Sequence, residues 1–466
     1  MSASRPTAKG RTNILRARAA GRPLADPPSS DFHLERLRKI YAANHEPIEV
    51  SFRSLLKLSP ARTRFTHGLH PYPGRLLPNI PAFFLSSHRL APPESLILDP
   101  FCGSGTVLLE SILTGRDCVG ADSNPLARLI TKTKTTPIER TTLQRAARRL
   151  LERVPTKPQT DAPLVLNEGY WFYPHIVRDL RRLREAIDST RDSPIRDLFT
   201  VVLSSCIRDL SLADPRLSVP VRLRADQYEQ SHWLYEKTIS RLSRLRTVNV
   251  VKTYQSRLDR AIELVAALAN EPSLGARVGL LDDARSLHKS SSSEVDLVIT
   301  SPPYVGAQKY IRACSLNLTW LGMCEPSALR ALEDSNIGRE HFSKQNYDTE
   351  LKSALPTASK LLTRIRKANP LRAHIAATYL QEMRVAFESL AVIVRRGGHL
   401  VLVVGSSTIC GLTFPTPTFL SQLAEESGFE EWLHLIDPIR SRALMTKRHR
   451  TANTIATESI IVFRRR

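Results

Sequence analysis

The stretch Leu96-Ile-Leu-Asp-Pro-Phe-Cys-Gly-Ser-Gly-Thr106, continuing into Val107-Leu-Leu109, decides the fold. Three apolar residues at 96–98 are stopped by Asp99-Pro100, Gly103 and Gly105 follow, and an apolar helical pattern opens at Thr106. Strand, glycine turn and helix in that order is the layout of a nucleotide-cofactor site at the carboxyl edge of a parallel sheet. Glycines let the backbone come close to a ligand, and the first helical turn offers unpaired N–H groups. Asp122, in Val119-Gly-Ala-Asp-Ser-Asn-Pro125, follows at the spacing where a carboxylate accepts from a ribose diol, although it also reads as a strand-end turn or cap. The third glycine of a dinucleotide fingerprint is missing, since Leu108 stands there, and no Gly-Lys-Ser/Thr follows for a P-loop. A lone Gly-x-Gly fixes a layout, not a chemistry.

The chemistry comes from a second stretch, Asp296-Leu-Val-Ile-Thr-Ser-Pro-Pro-Tyr304, again an apolar strand ending in a polar turn. The Asp-Pro-Phe-x-Gly-Ser-Gly-Thr form at 99–106 and the Ser-Pro-Pro-Tyr form at 301–304 together resemble the S-adenosylmethionine-dependent amino-methyltransferases of DNA. The resemblance covers roughly residues 65–135 and 276–465. It implies a Rossmann-like α/β fold, with a mostly parallel sheet flanked by helices and a late antiparallel hairpin, and S-adenosyl-L-methionine as cofactor. In the family, the segment holding His70, Tyr72 and Pro73 closes over the methionine end, although His70 and Tyr72 also read as packing for the next helix. Asp99, Pro100, Phe101, Gly103, Ser104, Gly105 and Thr106 make the cofactor turn, and Asp122, Ser123 and Asn124 lie at the ribose. Asp283, before Ala284, matches the position that accepts from the adenine amine, with Asp282 an equally reachable carboxylate. Ser301, Pro302, Pro303 and Tyr304 are the implied catalytic residues.

Methyl transfer from a sulfonium is an in-line displacement, and an exocyclic base amine is a poor nucleophile because its lone pair is delocalised into the ring. The site must align the amine and favour its pyramidal form. Acceptors for the N–H protons do this, and the Ser301 hydroxyl and Pro302 carbonyl are the candidates. Two prolines stiffen the turn that carries them. Tyr304 offers a ring for a base taken out of the duplex, as this chemistry requires. A cytosine-C5 enzyme needs a cysteine nucleophile, and none lies in 299–305. In the family, Ser at the first position leans toward cytosine N4, and Asp or Asn toward adenine N6. A hydroxyl both accepts and donates, whereas a carboxylate at neutral pH only accepts. N4 of cytosine is therefore the preferred target. Adenine N6, an RNA base amine, or a noncatalytic nucleic-acid-binding role on the same scaffold are the alternatives.

The formal net charge of +22 favours a polyanionic partner. Six cysteines, at 102, 118, 206, 314, 324 and 410, form no Cys-x-x-Cys or Cys/His cluster, which reads as reduced thiols without a zinc site. No apolar run approaches a membrane span, and the amino terminus lacks a secretory apolar core. DNA is the implied partner, with a cognate restriction endonuclease as companion, and the implied location is a prokaryotic cytoplasm at the nucleoid.

Along the chain, residues 1–34 read as a disordered basic arm and 35–137 as the first part of the methyltransferase domain. A helix is expected to begin near Pro78, with further helices at 106–114 and 124–134 around a short strand at 117–122. Residues 138–275 carry helical periodicity at 143–154, 177–189, 198–210 and 228–245, and no glycine stands between Gly120 and Gly169. This is a helical insertion and the candidate DNA-contact region. Within it, Tyr170-Trp-Phe-Tyr173 reads as packing or as a base-stacking platform, and 209–224 as an Arg-bearing loop suited to a phosphate backbone. Residues 276–466 form the second part of the domain. There a Ser-rich turn lies at 290–293, a helix at 316–322 faces the sheet, and 325–368 make a surface excursion. A helix at 371–395 stops at Arg395-Arg-Gly-Gly398. Strands follow at 399–405, 429–436 and 458–463, with a helix at 415–427 and a basic tail at 440–450.

Overall fold

The computed structural model describes residues 29–466 except 60–63, 160–164, 166, 272–274, 291–293, 306–309, 349–352 and 440–455. Most of the arm, the Ser-rich turn and the basic tail read from the sequence therefore lie outside the described residues.

Eight strands form the central sheet: β1 (Ile48–Glu49), β2 (Ile97–Asp99), β3 (Cys118–Ala121), β4 (Val278–Leu281), β5 (Val295–Thr300), β6 (Val394–Val404), β9 (Phe429–Pro438) and β10 (Thr457–Arg465). β7 (Ser407–Ile409) and β8 (Leu412–Phe414) make a separate small hairpin. The order across the main sheet is β1-β9-β10-β6-β5-β2-β3-β4. β4, β3, β2, β5 and β6 run parallel, while β10 is antiparallel to both its neighbours. This is the expected Rossmann-like sheet with its late antiparallel hairpin. From β2 the chain moves outward through β3 and β4 and then returns to β5 on the other side of β2. The reversal makes the β2–β5 seam a topological switch point, where ligands of α/β sheets bind.

Both faces of that seam are buried, which is why its strands read as unbroken apolar runs. Ile97, Leu98, Leu297, Val298 and Ile299 are buried. On one face they join a core with Phe83, Phe84, Val107 and Leu108 from helices Asn79–Leu85 and Thr106–Leu113. On the other they meet Tyr379, Met383 and Phe387 from helix Pro370–Ile393.

Helices Arg140–Glu152, Pro174–Asp188, Ser193–Leu210, Trp233–Thr247 and Val250–Ala269 build the insertion. Its core is not self-contained. Leu69 and Tyr72 from the segment before the glycine turn share it, as do Leu126 and Ile130 from helix Pro125–Lys134. Leu316, Leu318 and Trp320 also pack there, so the helix Ser315–Trp320 faces the insertion and not the sheet as its pattern suggested. Apolar periodicity says that a helix is buried on one side, but not against which layer.

Two other boundaries differ from the sequence reading. Helix Ser30–Asn44, capped by Ser29 and burying Leu34, Leu37 and Tyr41, takes in residues that were read as the end of the arm. The long helix ends at Ile393, and Arg395-Arg-Gly-Gly398 already belongs to β6, where Arg395 pairs with Asp296 of β5 at 2.6 Å.

Candidate active site

The carboxyl ends of β2, β3, β4 and β5 open into one cleft. Pro100 and Phe101 of the glycine turn and Ser301 and Pro303 of the proline turn all line it. The two turns are tied at their roots. Leu98 pairs with Val298 across the seam, and the Thr300 hydroxyl donates to Asp99 Oδ1 at 2.7 Å. Asp99 also accepts from the Phe101 N–H at 3.1 Å, and burial pushes its carboxyl up to about 7.

The glycine turn takes its shape from close neighbours. Gly103 and Gly105 sit at φ +51° and +70°, and a Cβ on Gly105 would stand 2.7 Å from the Thr131 methyl. Only glycine meets both demands at 105. Asp122, at the end of β3, accepts from the Gly103 N–H at 3.0 Å through one oxygen and from the Asn124 N–H at 2.8 Å through the other. Each oxygen keeps a lone pair toward the cleft, which Asp122 and Ser123 line. Burial raises the Asp122 carboxyl to about 6, against the lowering effect of those two N–H groups. Asn124 caps helix Pro125–Lys134 and donates to the Tyr72 hydroxyl at 3.1 Å. Behind the turn, the buried Lys134 ammonium donates to the Ser104 carbonyl at 2.7 Å, and burial lowers its pKa to about 7.

Tyr72, Pro73 and Gly74 bring the preceding segment over the cleft. His70 is turned the other way. Its Nε2 lies 3.0 Å from the Ser204 hydroxyl of helix Ser193–Leu210, and burial holds the imidazole neutral with a pKa of about 3. The segment is anchored through Glu110, which accepts from Arg64 at 3.0 and 2.8 Å and pairs with His67 Nε2 at 2.7 Å. Sequence reading passed over this cluster because Arg64 and Glu110 belong to no motif, although His67 lies in the stretch Thr66–Arg75.

Asp283 and Ala284 line the opposite wall. Asp283 accepts from the Arg285 N–H at 2.9 Å and from its guanidinium at 2.9 and 2.6 Å. Asp282 is 84% exposed and pairs with Arg128, away from the cleft lining, which separates the two carboxylates that sequence alone left level. Arg285 carries on to the Ser335 carbonyl at 2.7 Å, and the Ser123 hydroxyl donates to Asn336 Oδ1 at 2.9 Å. Ser335, Asn336 and Ile337 therefore wall the cleft, so the segment 325–368 is in part site and not only a surface excursion. Tyr310 lines it too. No spacing rule points to Arg285, Tyr310 or Asn336.

At the proline turn Pro302 is buried, and the Tyr304 hydroxyl donates to Glu458 Oε1 of β10 at 3.0 Å. Among the described residues no group of three His, Cys, Asp or Glu side chains gathers to hold a metal, and no helix is long and apolar enough to cross a membrane.

The donor set suits S-adenosylmethionine. A carboxylate with two spare lone pairs stands beside the glycine cradle, a second carboxylate stands on the facing wall, and the Ser104 hydroxyl is buried without a partner in the turn itself. A switch-point cleft of this kind, with a glycine turn on one bank and Ser-Pro-Pro-Tyr on the other, is that of a Rossmann-like methyltransferase using S-adenosyl-L-methionine. Residues 88–132 match the family model described as DNA methylase. The type II methyltransferase M.MvaI of Kocuria varians is 21% identical over 430 residues, covering 85% of this chain and 88% of that protein. M.BsoBI of Geobacillus stearothermophilus is 27% identical over 260 residues, 52% of this chain and 50% of that one. M.MjaII of Methanocaldococcus jannaschii is 38% identical over 73 residues, 16% and 13% of the two chains. Among solved structures, the rRNA methyltransferase aviRa of Streptomyces viridochromogenes aligns over 89% of this chain and 96% of its own, at 11% identity and a TM-score of 0.31. These matches support an S-adenosylmethionine-dependent amino-methyltransferase of the N4/N6 DNA methylase family.

Proposed function

We propose that the protein is a site-specific DNA methyltransferase that methylates the exocyclic N4 amine of cytosine. The observation that carries this reading is Ser301: a neutral hydroxyl, not a carboxylate, is presented to the cleft by the turn rooted beside the glycine turn. The Ser301 hydroxyl and Pro302 carbonyl accept from the amine and hold it for in-line attack. Bound S-adenosylmethionine supplies an electrophilic methyl on sulfur. Asp122 takes the ribose hydroxyls, and Asp283 with Ala284 the adenine. The turn from Asp99 to Thr106, closed over by Tyr72 and Pro73, takes the methionine end. The type II designation of the relatives supports DNA as substrate and makes a restriction endonuclease the companion to look for.

The insertion supplies the DNA contact in this reading. Residues 212–223 form a tight hairpin (Leu223 N–H to Leu212 C=O, 2.8 Å; Asp214 N–H to Val221 C=O, 2.8 Å). The Arg208 guanidinium reaches four carbonyls inside it, at Asp214, Leu217, Ser218 and Val219. Beside it Tyr170, 48% exposed, lies under Arg222, and Trp233, 60% exposed, under Lys237. Exposed aromatics paired with cations suit stacking on bases beside phosphates. Phe172, by contrast, is buried against Trp320.

Incubating the purified chain with methyl-labelled cofactor and duplex DNA, tRNA or rRNA, followed by nucleoside mass spectrometry, tests the proposal. N4-methylcytosine from DNA is the expected product. N6-methyladenine would shift the target base, and label only in RNA would overturn DNA as substrate.

A further inference from the structure

Methylating a base amine leaves a proton to remove. The positive charge passes from sulfur to nitrogen with the methyl, and the product becomes neutral only when an N–H proton departs. A Ser-Pro-Pro-Tyr turn holds no carboxylate to receive it. In this chain the turn leads to one. The Tyr304 hydroxyl donates to Glu458 Oε1 at 3.0 Å, and Ser301, three residues back in the same turn, acts to lower the phenol's pKa, as a hydroxyl donating toward its oxygen does. Glu458 lies on β10, opposite Asp437 in the β9 register, with Arg53 the cation facing it. Burial, then the Asp437 charge, raise the Glu458 carboxyl above the ordinary glutamate value, against the lowering effects of the Tyr304 hydrogen bond and Arg53, which makes it a better proton acceptor than an exposed glutamate. Burial and the Glu458 charge push the Tyr304 phenol well above its usual range, so the phenol passes a proton on instead of resting as a phenolate.

We propose that Ser301, Tyr304 and Glu458 form a proton relay from the methylated amine to a half-buried carboxylate on the last strand. The relay rests on the amine-methylation reading above. As the amine lone pair forms the N–CH3 bond, the C–S bond of the donor breaks with its electrons on sulfur, giving a thioether and a protonated amine. One N–H proton moves to Ser301 Oγ, the serine proton to Tyr304 Oη, and the phenol proton to Glu458 Oε1. The sulfonium's positive charge and the carboxylate's negative charge both disappear, and no further reactant is needed. Thr457, next in the chain, is exposed, so Glu458 sits near solvent to which its proton returns.

The test is single-turnover transfer of labelled methyl to duplex DNA across acid to alkaline pH, in light and heavy water, for the wild type, Tyr304→Phe, Glu458→Gln and Glu458→Asp. The wild-type rate should fall on acidification as Glu458 protonates. Tyr304→Phe, which keeps the ring, and Glu458→Gln should each slow transfer by roughly 100-fold. Both should lose the acid limb and the solvent isotope effect while binding cofactor and DNA as the wild type does, and Glu458→Asp should recover part of each. Infrared titration of the protein without cofactor should show a carboxyl protonating above the ordinary glutamate range, absent in Glu458→Gln and shifted in Tyr304→Phe. If Glu458→Gln does not fold, Tyr304→Phe decides. Wild-type rate and acid limb in Tyr304→Phe, or no such carboxyl band, overturns the relay alone. A wild type that transfers no methyl to DNA overturns the amine-methylation reading and the relay with it.

Discussion

On the β2–β3 bank of the cleft, Asp122 is held by the N–H groups of Gly103 and Asn124, 19 and 2 positions away. On the β5 bank, the Tyr304 hydroxyl is held by Glu458, 154 positions away, and Thr300 by Asp99, 201 positions away. The cofactor bank is thus assembled largely from local turns whose donors are backbone amides, and the catalytic bank from side chains that meet only once the sheet has closed. Backbone amides aimed by a glycine turn can grip a cofactor but take up no proton, whereas distant side chains can present a hydroxyl and a proton acceptor to a reacting amine. Binding and turnover should therefore separate in mutants.

The largest separation is expected at Ser301. Ser301→Ala should lower single-turnover methyl transfer by about 10²–10⁴-fold, the usual loss on removing a positioned proton acceptor. Its cofactor affinity, read by calorimetry, should stay near wild type, and parallel loss of both would break the comparison.

Next comes the anchor of the cofactor bank. Glu110→Ala strands the half-buried Arg64 guanidinium and the buried His67, and breaking a pair around a buried carboxylate from one side costs about 3–5 kcal/mol. Denaturant unfolding should show a loss of that size, with transfer by the remaining folded fraction little altered.

Asp122→Asn should weaken cofactor binding by about tenfold or more, from hydrogen bonds to a charged acceptor of roughly 1.5–3 kcal/mol, with less effect on the chemical step at saturation. The pH dependence has a defined sign. Because the Asp122 carboxyl is raised to about 6, it is ionised above that pH and neutral below it. Wild-type affinity should fall as pH drops through about 6, and the Asn variant should lose that step.

The smallest effect belongs to His70, whose ring is bonded to Ser204 outside the cleft lining. His70→Gln should leave cofactor affinity and turnover unchanged and cost about 1 kcal/mol of stability. A large loss of affinity would return His70 to the cofactor.

The same contrast explains what sequence could reveal. Both turns were legible because their chemistry is local: glycines at positive φ, a strand-end aspartate, and two prolines stiffening a serine. The parallel pairing followed from short apolar runs alternating with helical patterns, and the late hairpin from the family resemblance. What stayed hidden depends on which layers meet. Periodicity marked 316–322 as half buried but not that Leu316 and Trp320 join the insertion, whose core also takes Tyr72. A charged, polar composition made 325–368 read as surface, although Asn336 and Ile337 wall the cleft. Glu458 looked like any glutamate opening an apolar strand, and only the pairing of β10 beside β6 brings it to Tyr304.

A crystal structure with S-adenosylhomocysteine would probe the shared cleft most directly. The expected complex has the adenosine between Asp122 and Ala284 and the sulfur directed at Ser301. A ligand bound away from the glycine turn, or with its sulfur turned from Ser301, would contradict the joining of the two turns into one methyl-transfer site.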